Sequence, residues 1–411
     1  FQPWSKNSPT MFRILLAVGV LGSAFLAYRM QEPLPDYVQD KGIVTYVQSV
    51  FKILETLGRI VEALGLTTME KFRQRAFSAI VPAIKNSSRL HSVEKQFAGS
   101  RTIVAWRPES SDGRAVPGSK PGIIYIHGGG WAIGAPEFNV NLISEMVERA
   151  GVTVFAISYR LSIEQRFPAA FEDSLAATRA IFDSAADFNV DPQRIGLCGD
   201  SAGGQLAASV AQALRRSAPE LGDDWRRPKL QLLIYPVTQA ASLRTESYLT
   251  QQAEPFLKPW QMADFISIYL TGSRAASDWL LKHGHVTAEL RAAYQRATGL
   301  ELQPSMLNEA DSQEFAADAD LAARVATSAT DYRVSPLLGA DLEKLDLPPA
   351  FILACEFDPL LDDALLYADR LERSGVRVQL TRFSTFHAAV GFPNDGREIR
   401  DRLVEILENQ L

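Results

Sequence analysis

The sequence is poor in cysteine and has no cluster of positive charge, and both shortages exclude classes of protein. Only Cys198 and Cys355 are present, which excludes a disulfide framework and a zinc ribbon. Both lie in apolar runs, so we expect buried free thiols in core strands. Lysine and arginine total 42 against 48 aspartate and glutamate residues, and the net charge is −6. An acidic chain without a basic run is not expected to bind nucleic acid.

Internal repeats and low-complexity tracts are also absent from the sequence, which has the composition of a globular protein. Of its 411 residues, 46% are hydrophobic and 22% are charged. These values exclude a chain that is mainly disordered, collagenous or coiled coil. The length allows one large domain or about two to three smaller ones, and no oligomeric state is predicted.

An apolar run near the start of the sequence predicts a membrane segment. Residues 14–28 are apolar and flanked by arginines, and residues 12–28 meet the lower limit of about 17 residues for a bilayer span. A signal anchor is one interpretation; a cleaved signal peptide is another, since Gly22-Ser23-Ala24 offers a cleavage site. A buried helix is the third. Asn86 begins a glycosylation sequon, which has meaning only if the protein body is lumenal.

Residues 42–65 repeat apolar side chains every three or four positions, which predicts an amphipathic helix. We expect its apolar stripe to pack on the protein body; the alternative is that the helix lies at a membrane surface. The stripe consists of Ile43, Val47, Val50, Leu54, Leu57, Val61 and Leu64. The chain is therefore divided into a leader with a signal anchor or signal peptide over 1–30, an N-terminal helical cap region over 31–99 and a main domain over 100–411.

Strand and helix patterns alternate through the main domain, which predicts an α/β fold. The predicted strands cover 101–106, 122–127, 152–158, 194–198, 230–235, 349–355 and 376–383, and the predicted helices 137–150, 169–186, 204–216, 362–374 and 396–410. Such alternation gives a mostly parallel central sheet with helices on both faces. Residues 246–333 interrupt it with a polar, helix-prone stretch, which we interpret as a helical lid inserted between two strands.

A serine stands in a glycine-rich turn between a predicted strand and a predicted helix, within Gly199-Asp200-Ser201-Ala202-Gly203-Gly204. A serine hydroxyl is a weak nucleophile that needs exposure and a neighbouring base, and a tight strand-to-helix turn exposes it. Gly199 and Gly203 remove side chains that would collide in the turn. The pattern is that of a nucleophile elbow, so Ser201 is the candidate nucleophile and Asp200 a supporting residue.

A second glycine-rich segment, His127-Gly128-Gly129-Gly130-Trp131, follows the predicted strand over 122–127. Three successive glycines allow backbone N–H groups to point into a cleft, as in an oxyanion hole. A phosphate-binding loop is the alternative, but the lysine and the serine or threonine of a P-loop are missing. His127 is predicted to hold this loop in shape rather than to act as the base.

A base and an orienting acid are required beside the serine. His387 follows the predicted strand over 376–383 and Asp358 follows that over 349–355. Because α/β sites form at the carboxyl ends of strands, these two residues are the candidates. Asp362, one turn further on, is predicted to cap or stabilise the start of a helix.

Two other histidines lie in the insertion. His283 and His285 have the spacing of a metal-binding pair, but no third ligand is near them in the sequence, so we expect both to be exposed and to bind no metal.

Together these motifs resemble the hormone-sensitive-lipase group of α/β-hydrolases, over roughly residues 100–240 and 333–411. The segment Asp358-Pro359-Leu360-Leu361-Asp362, Tyr159-Arg160-Leu161 and Asp191-Pro192-Gln193-Arg194 add to the likeness. Pro33-Leu34-Pro35-Asp36 after an apolar run and Phe386-His387-Ala388-Ala389 look closest to the branch of arylacetamide deacetylases and neutral cholesterol ester hydrolases. That branch implies a membrane-anchored protein with its body in the lumen of the endoplasmic reticulum.

The resemblance implies roles for the matching residues. Ser201 would be the nucleophile, Asp358 the orienting acid and His387 the base. The N–H groups of Gly129, Gly130 and Ala202 would form the oxyanion hole, supported by His127, Gly128, Gly199, Asp200 and Gly203. Two departures stand out. Ala388 replaces the glycine that usually follows the base, and Leu161-Ser162-Ile163-Glu164 replaces the usual Leu-Ala-Pro-Glu.

The predicted activity is that of a serine carboxylesterase or lipase acting on apolar esters, with no metal or organic cofactor. An arylamide deacetylase would use the same site. A non-catalytic ligand receptor on this fold is a further alternative, although such receptors lack the base histidine and His387 is present. The anchored protein would lie in the endoplasmic reticulum membrane; after signal cleavage it would be secreted.

Overall fold

The computed structural model describes residues 33–80, 91–107, 120–217, 226–308 and 318–411. The apolar run over 12–28, with the cleavage site Gly22-Ser23-Ala24, and the sequon at Asn86 lie outside the described residues. Within the described ranges, no helix has the length and hydropathy needed to span a bilayer.

A single sheet of eight strands forms the centre of the molecule. In chain order the strands are β1 (His91–Phe97), β2 (Ser100–Trp106), β3 (Lys120–Ile126), β4 (Thr153–Ser158), β5 (Val190–Asp200), β6 (Gln231–Ile234), β7 (Ala350–Phe357) and β8 (Val378–Phe386). Their order across the sheet is β1-β2-β4-β3-β5-β6-β7-β8. The pairs β1–β2 and β2–β4 are antiparallel and the others parallel. The predicted mostly parallel sheet is confirmed.

Twelve helices accompany the strands in the described part of the chain. They are α1 (Lys41–Ala63), α2 (Met69–Ile80), α3 (Val140–Glu148), α4 (Ala169–Ser184), α5 (Ala202–Arg216), α6 (Glu246–Thr250), α7 (Pro259–Thr271), α8 (Ser277–Leu281), α9 (Ala288–Thr298), α10 (Ala319–Thr330), α11 (Leu361–Arg373) and α12 (Arg397–Gln410). Helices α6 to α10 form the lid between β6 and β7, and no strand lies among the lid's described residues.

The sheet is covered on both faces because its central strands are apolar on both sides. Helices α4, α5 and α11 pack with the lid against one face, and α3 and α12 pack against the other. The buried residues of β3, β5 and β7 contribute to both clusters, as expected for strands inside a parallel sheet. Cys198 and Cys355 are buried free thiols in β5 and β7, which confirms that prediction.

The sheet begins at His91, before the predicted domain boundary at residue 100. The sequence of β1, His-Ser-Val-Glu-Lys-Gln-Phe, is mostly polar, and most of its residues are exposed or half-buried. It pairs antiparallel with β2 at the sheet edge. Edge strands with charged side chains carry a weak hydrophobic pattern, which is why this strand was not predicted.

Helix α1 has the predicted position but packs only in part in the predicted way. Of the expected apolar stripe, Ile43 and Leu64 are exposed and the other members are only half-buried. The fully buried positions of the helix are Val44 and Gly58. The expectation that the stripe packs on the protein body is therefore confirmed only in part: Val47 packs against the core, whereas both ends of the stripe are exposed. A helical repeat defines an apolar arc but not how much of it a neighbour covers.

Candidate active site

The candidate nucleophile lies in a strained turn between β5 and α5. Ser201 has φ 54° and ψ −122°, an uncommon conformation for a residue with a side chain. Its N–H donates to the carbonyl oxygen of Ile234 at 2.9 Å. The turn closes only with glycine at its ends, since a Cβ at Gly199 would collide with the Gly203 carbonyl and one at Gly203 with that of Ile126.

The structure brings Ser201, His387 and Asp358 together from three different strand ends. The Ser201 Oγ lies 3.0 Å from Nε2 of His387, and Nδ1 of that ring lies 2.7 Å from Oδ2 of Asp358. The other carboxylate oxygen, Oδ1, accepts from the N–H of Leu360 at 2.8 Å. All three residues of the constellation are buried. Hydrogen bonds therefore align hydroxyl, imidazole and carboxylate in the order that nucleophilic catalysis requires.

The glycine-rich loop after β3 runs beside this serine. Gly129 and Gly130 have φ 109° and 57°, which glycine adopts without steric cost. In the described part of the chain, the N–H groups of Gly129, Gly130 and Ala202 donate to no protein acceptor. Ala202 begins α5, whose free N–H groups and partial positive charge favour an anion. These three N–H groups are therefore available to a developing oxyanion.

Asp200 joins the serine turn to the glycine-rich loop. Its Oδ1 accepts from the N–H of Gly128 at 2.9 Å, from Nδ2 of Asn139 at 3.4 Å and from the hydroxyl of Tyr125. Burial raises the pKa of Asp200, against the effect of these hydrogen bonds. Tyr125 and Asn139 were not predicted. A tyrosine inside an apolar strand was the available signal, because its buried hydroxyl needs a partner.

His127 supports the glycine-rich loop, and its Nε2 has no hydrogen-bond partner among the described residues, the serine hydroxyl included. Its Nδ1 donates to the Gly128 carbonyl at 2.7 Å, and its ring stacks on Tyr159 with centroids 4.3 Å apart. Burial lowers its pKa to about 4, so the ring is neutral near pH 7.

The two departures from the usual motifs have structural explanations. Ala388 follows the base in the left-handed conformation, with φ 64°; this conformation costs a residue with a Cβ about 1–2 kcal/mol, which explains why glycine is usual there. Ser162 donates through both N and Oγ to the carbonyl oxygen of Trp131, at 2.9 and 3.1 Å. It therefore braces the end of the glycine-rich loop.

The expectation that the two lid histidines are exposed was wrong. His283 and His285 are buried, with 0% and 1% of their surface exposed, and both rings are hydrogen-bonded. His283 bonds to the Ser242 hydroxyl and the Gln303 carbonyl, and His285 to the Ala240 carbonyl. In the described part of the chain, no three potential ligand side chains are grouped to hold a metal. 

Asp362 lies in the first turn of α11 but makes no cap hydrogen bond there. Its carboxylate accepts from the N–H of Ser247 at 2.8 Å, and it thereby holds lid helix α6 to the main domain. The predicted cap is therefore absent, whereas the alternative prediction, an acidic side chain that stabilises the first turn of the helix, agrees with the position of Asp362.

An open cleft of about 360 Å³ begins beside the glycine-rich loop. Ala132, Ile133 and the lid residue Phe265 line it there. The ring of Phe265 lies directly on Gly130, since a Cβ at that position would collide with it. Helix α1 and the segment Pro33 to Pro35 form the opposite wall. The cleft therefore extends from the residues that follow the glycine-rich loop to the N-terminal helix, and its described lining does not include Ser201 or His387.

Glu254 is a buried carboxyl in the cleft wall that was not predicted. One oxygen, Oε2, accepts from the N–H of Phe256 at 2.7 Å and from that of Leu257. The other, Oε1, has no hydrogen-bond partner. Burial, and secondarily the charge of Asp358, raises the pKa of Glu254 well above its ordinary value. This shift disfavours a second negative charge near Asp358.

A family model described as an α/β-hydrolase fold matches residues 123–301 and 296–390 of the chain. Arylacetamide deacetylase of Oryctolagus cuniculus is 30% identical over 389 residues, which cover 92% of this chain and 94% of that protein. Neutral cholesterol ester hydrolase 1 of Rattus norvegicus is 30% identical over 380 residues, 90% of this chain and 91% of that protein.

A solved structure extends the likeness to the fold. It is that of a thermophilic carboxylesterase cloned from a metagenomic library, with a TM-score of 0.56 and 27% sequence identity. The alignment covers 87% of this chain and 97% of that chain. The sequence relatives and this structure share ester or amide hydrolysis in their names.

Proposed function

The chain belongs to the α/β-hydrolase family as a serine ester hydrolase, and we propose that it cleaves apolar lipid or aryl esters through an acyl-enzyme on Ser201. The observation that carries the proposal is the pair of hydrogen bonds on His387, at 3.0 Å to the serine hydroxyl and 2.7 Å to Asp358. An enzyme with this pair needs no metal or organic cofactor for acyl transfer.

The reaction proceeds in two halves. His387 takes the Ser201 proton as Oγ attacks the ester carbonyl, and the N–H groups of Gly129, Gly130 and Ala202 stabilise the oxyanion. The imidazolium then protonates the leaving alcohol, and the acyl group stays on the serine. Water, deprotonated by His387, attacks the acyl-enzyme; the imidazolium then returns the proton to Oγ as the bond to Ser201 breaks, which releases the acid and regenerates the enzyme. Asp358 orients the ring and stabilises its charged form throughout.

The cleft supports an apolar substrate. The part beside the glycine-rich loop is lined by Ala132, Ile133 and Phe265, and such walls favour aromatic or aliphatic groups over charged ones. Charged side chains also line the cleft, among them Lys52, Glu55 and Arg73. The relatives named for arylacetamides and cholesterol esters have substrates of that kind. Amide cleavage at the same site is the second candidate, supported by the deacetylase name, and matched ester and amide substrates with one acyl group distinguish the two.

The test is hydrolysis of p-nitrophenyl esters of increasing acyl length by the full chain and by Ser201→Ala. We expect the variant to keep only a residual rate from the oxyanion hole and binding, at least about 10⁴-fold below the parent. Ser184→Ala, whose hydroxyl bonds to the Ala180 carbonyl away from the site, is the matched control. Equal activity of Ser201→Ala and parent, or a folded parent without activity on esters or amides, would contradict the proposal; the second result favours a ligand receptor.

We further propose that residues 12–28 anchor the protein in the endoplasmic reticulum membrane with the body in the lumen; secretion after cleavage is the alternative. The support is the apolar run between arginines and the sequon at Asn86. In cells expressing the full chain, we expect the protein to resist carbonate extraction. We also expect glycosidase to lower its apparent mass, and this mass shift to be lost in the variant Asn86→Gln. A soluble, unglycosylated product would refute the anchor and its orientation.

A further inference from the structure

Helix α1 exposes a row of large apolar side chains, which we call the outer face: Ile43, Tyr46, Ile60, Leu64 and, just beyond the helix, Leu66. Their exposed fractions are 45%, 68%, 50%, 67% and 72%. They lie towards the two ends of α1, and the half-buried apolar residues Val50, Ile53 and Leu57 lie between them on the same side. Large apolar groups of a soluble surface are ordinarily scattered, and an apolar strip that runs the length of a helix marks a site of association.

The packing of α1 on the rest of the protein leaves this row uncovered. At 100° per residue, the four helical positions fall within about 100° of the circumference. The buried positions Val44 and Gly58 lie on another side of the helix. There α2 makes its contact, since a Cβ at Gly58 would collide with Met69. Neither the body nor α2 therefore covers the outer face within the described chain.

Two observations select a lipid surface as the occupant. The first is the chain that precedes α1. The apolar run ends at residue 28 and α1 begins at Lys41, and the connecting residues span at most about 45 Å when fully extended. If the run enters a bilayer, the first residue of α1 lies within that distance of the end of the membrane segment.

The second observation is the position of the cleft. Leu54 of α1 and Leu34 line one wall, and Trp260 of lid helix α7 lines the other. Trp260 is itself 42% exposed, and tryptophan is favoured at the boundary between lipid and water. The cleft thus lies between the helix with the outer face and an exposed tryptophan, which suits uptake of a substrate from lipid.

We propose that the outer face docks on the membrane surface, so that an apolar ester enters the cleft directly from the lipid. The entry of an ester rests on the proposed ester hydrolysis, but the docking of the outer face on lipid can be tested without catalysis. Contact between α1 and lipid is then a property of the folded protein in addition to any anchor.

The first test measures lipid contact at single positions of the full chain, reconstituted in phosphatidylcholine vesicles. A cysteine is placed at Tyr46 or Leu64 and labelled with an environment-sensitive fluorophore; Cys198 and Cys355 are buried and do not compete. Leu300, 52% exposed after lid helix α9, is the matched control. We expect blue-shifted emission and quenching by doxyl-labelled lipid at 46 and 64 but not at 300. Equal signals at all three positions would overturn the proposal.

The second test separates docking from catalysis. In the variant Ile43→Ser/Tyr46→Ser/Ile60→Ser/Leu64→Ser, we expect the rate on a long-chain ester embedded in vesicles to fall about tenfold or more. The rate on dissolved p-nitrophenyl acetate stays within twofold of the parent, which shows that the site is intact. Leu300→Ser/Met306→Ser keeps both rates. An unchanged vesicle rate in the fourfold variant overturns the docking.

Two further outcomes are decisive. If light scattering in detergent shows a dimer that the fourfold variant abolishes, and the labels at 46 and 64 are not quenched by lipid, a second copy covers the outer face and the proposal is wrong. Absence of Ser201-dependent hydrolysis, with lipid quenching intact, refutes the proposed function and leaves the docking supported.

Discussion

The carboxyl end of the sheet and the N-terminal helix α1 differ in which kind of side chain they bury. At the sheet end, the buried hydroxyl, imidazole and carboxylate of the reaction centre are each hydrogen-bonded to groups far away in the sequence. On α1, large apolar side chains remain exposed and the buried contacts are few. The sheet end thus buries polar groups, and hydrogen bonds inside the protein stabilise their arrangement. Helix α1 exposes apolar groups, and these are available for contacts outside the protein.

The largest effect is expected at the internal partner with the most connections, Asp200. Asp200→Ala removes the acceptor for Gly128, Asn139 and Tyr125, so the glycine-rich loop is no longer held beside Ser201. We expect kcat for a dissolved p-nitrophenyl ester to fall about 10²–10³-fold, the cost of losing an oxyanion donor, with a smaller change in KM.

Asp200→Asn is the matched control, because its amide oxygen can still accept from the Gly128 N–H; it should lose much less. A kcat of Asp200→Ala within twofold of the parent, in a protein with unchanged circular dichroism, would show that the loop holds its shape without this carboxylate.

A second prediction tests whether a buried polar side chain contributes to stability in the lid, as buried polar groups do at the sheet end. Burial lowers the pKa of His285 from 6.5 to about 4, so between these values the unfolded chain binds more protons than the folded one. The contribution of the neutral His285 ring to the free energy of unfolding is complete above pH 6.5 and is lost as the pH falls towards 4. The loss between pH 7 and pH 5 is about 2 kcal/mol.

His285→Gln should therefore reduce the difference in unfolding free energy between pH 7 and pH 5, measured by urea titration. His91→Gln changes an exposed ring on β1 and should keep the parent's difference. Equal acid sensitivity in all three proteins would mean that the lid histidine is not buried in solution.

The smallest effect is expected on α1. Gly58→Ala places a methyl group against Met69 of α2, a strain of about 1–3 kcal/mol that the better helix propensity of alanine offsets by about 1 kcal/mol. We expect faster amide hydrogen exchange over residues 41–76, with unchanged exchange in β7 and β8 and unchanged hydrolysis of dissolved esters.

Gly42→Ala provides the opposite case on the same helix, since no atom lies within 4 Å of its added Cβ; it should slow exchange slightly. If Gly58→Ala instead lowers esterase activity severalfold, α1 is not independent of the reaction centre and the contrast between the two regions fails.

These two regions also differ in what the sequence predicts. Short motifs at strand ends predict the serine turn and the candidates Asp358 and His387, because a parallel sheet brings those ends together. The direction in which α1 packs does not follow from its repeat. Likewise, His283 and His285 were expected to be exposed because isolated polar residues in a polar stretch give no sign of the backbone carbonyls and hydroxyl that surround them.

The contact between Phe265 and Gly130 makes the shape of the oxyanion hole depend on the lid. Phe265 lies on α7, which also stacks Tyr269 on Trp131 of the glycine-rich loop, with centroids 4.4 Å apart. Detachment of α7 would remove both rings from that loop and leave the oxyanion hole less supported. During heating, activity should disappear when α7 detaches, at a temperature below that at which the sheet melts.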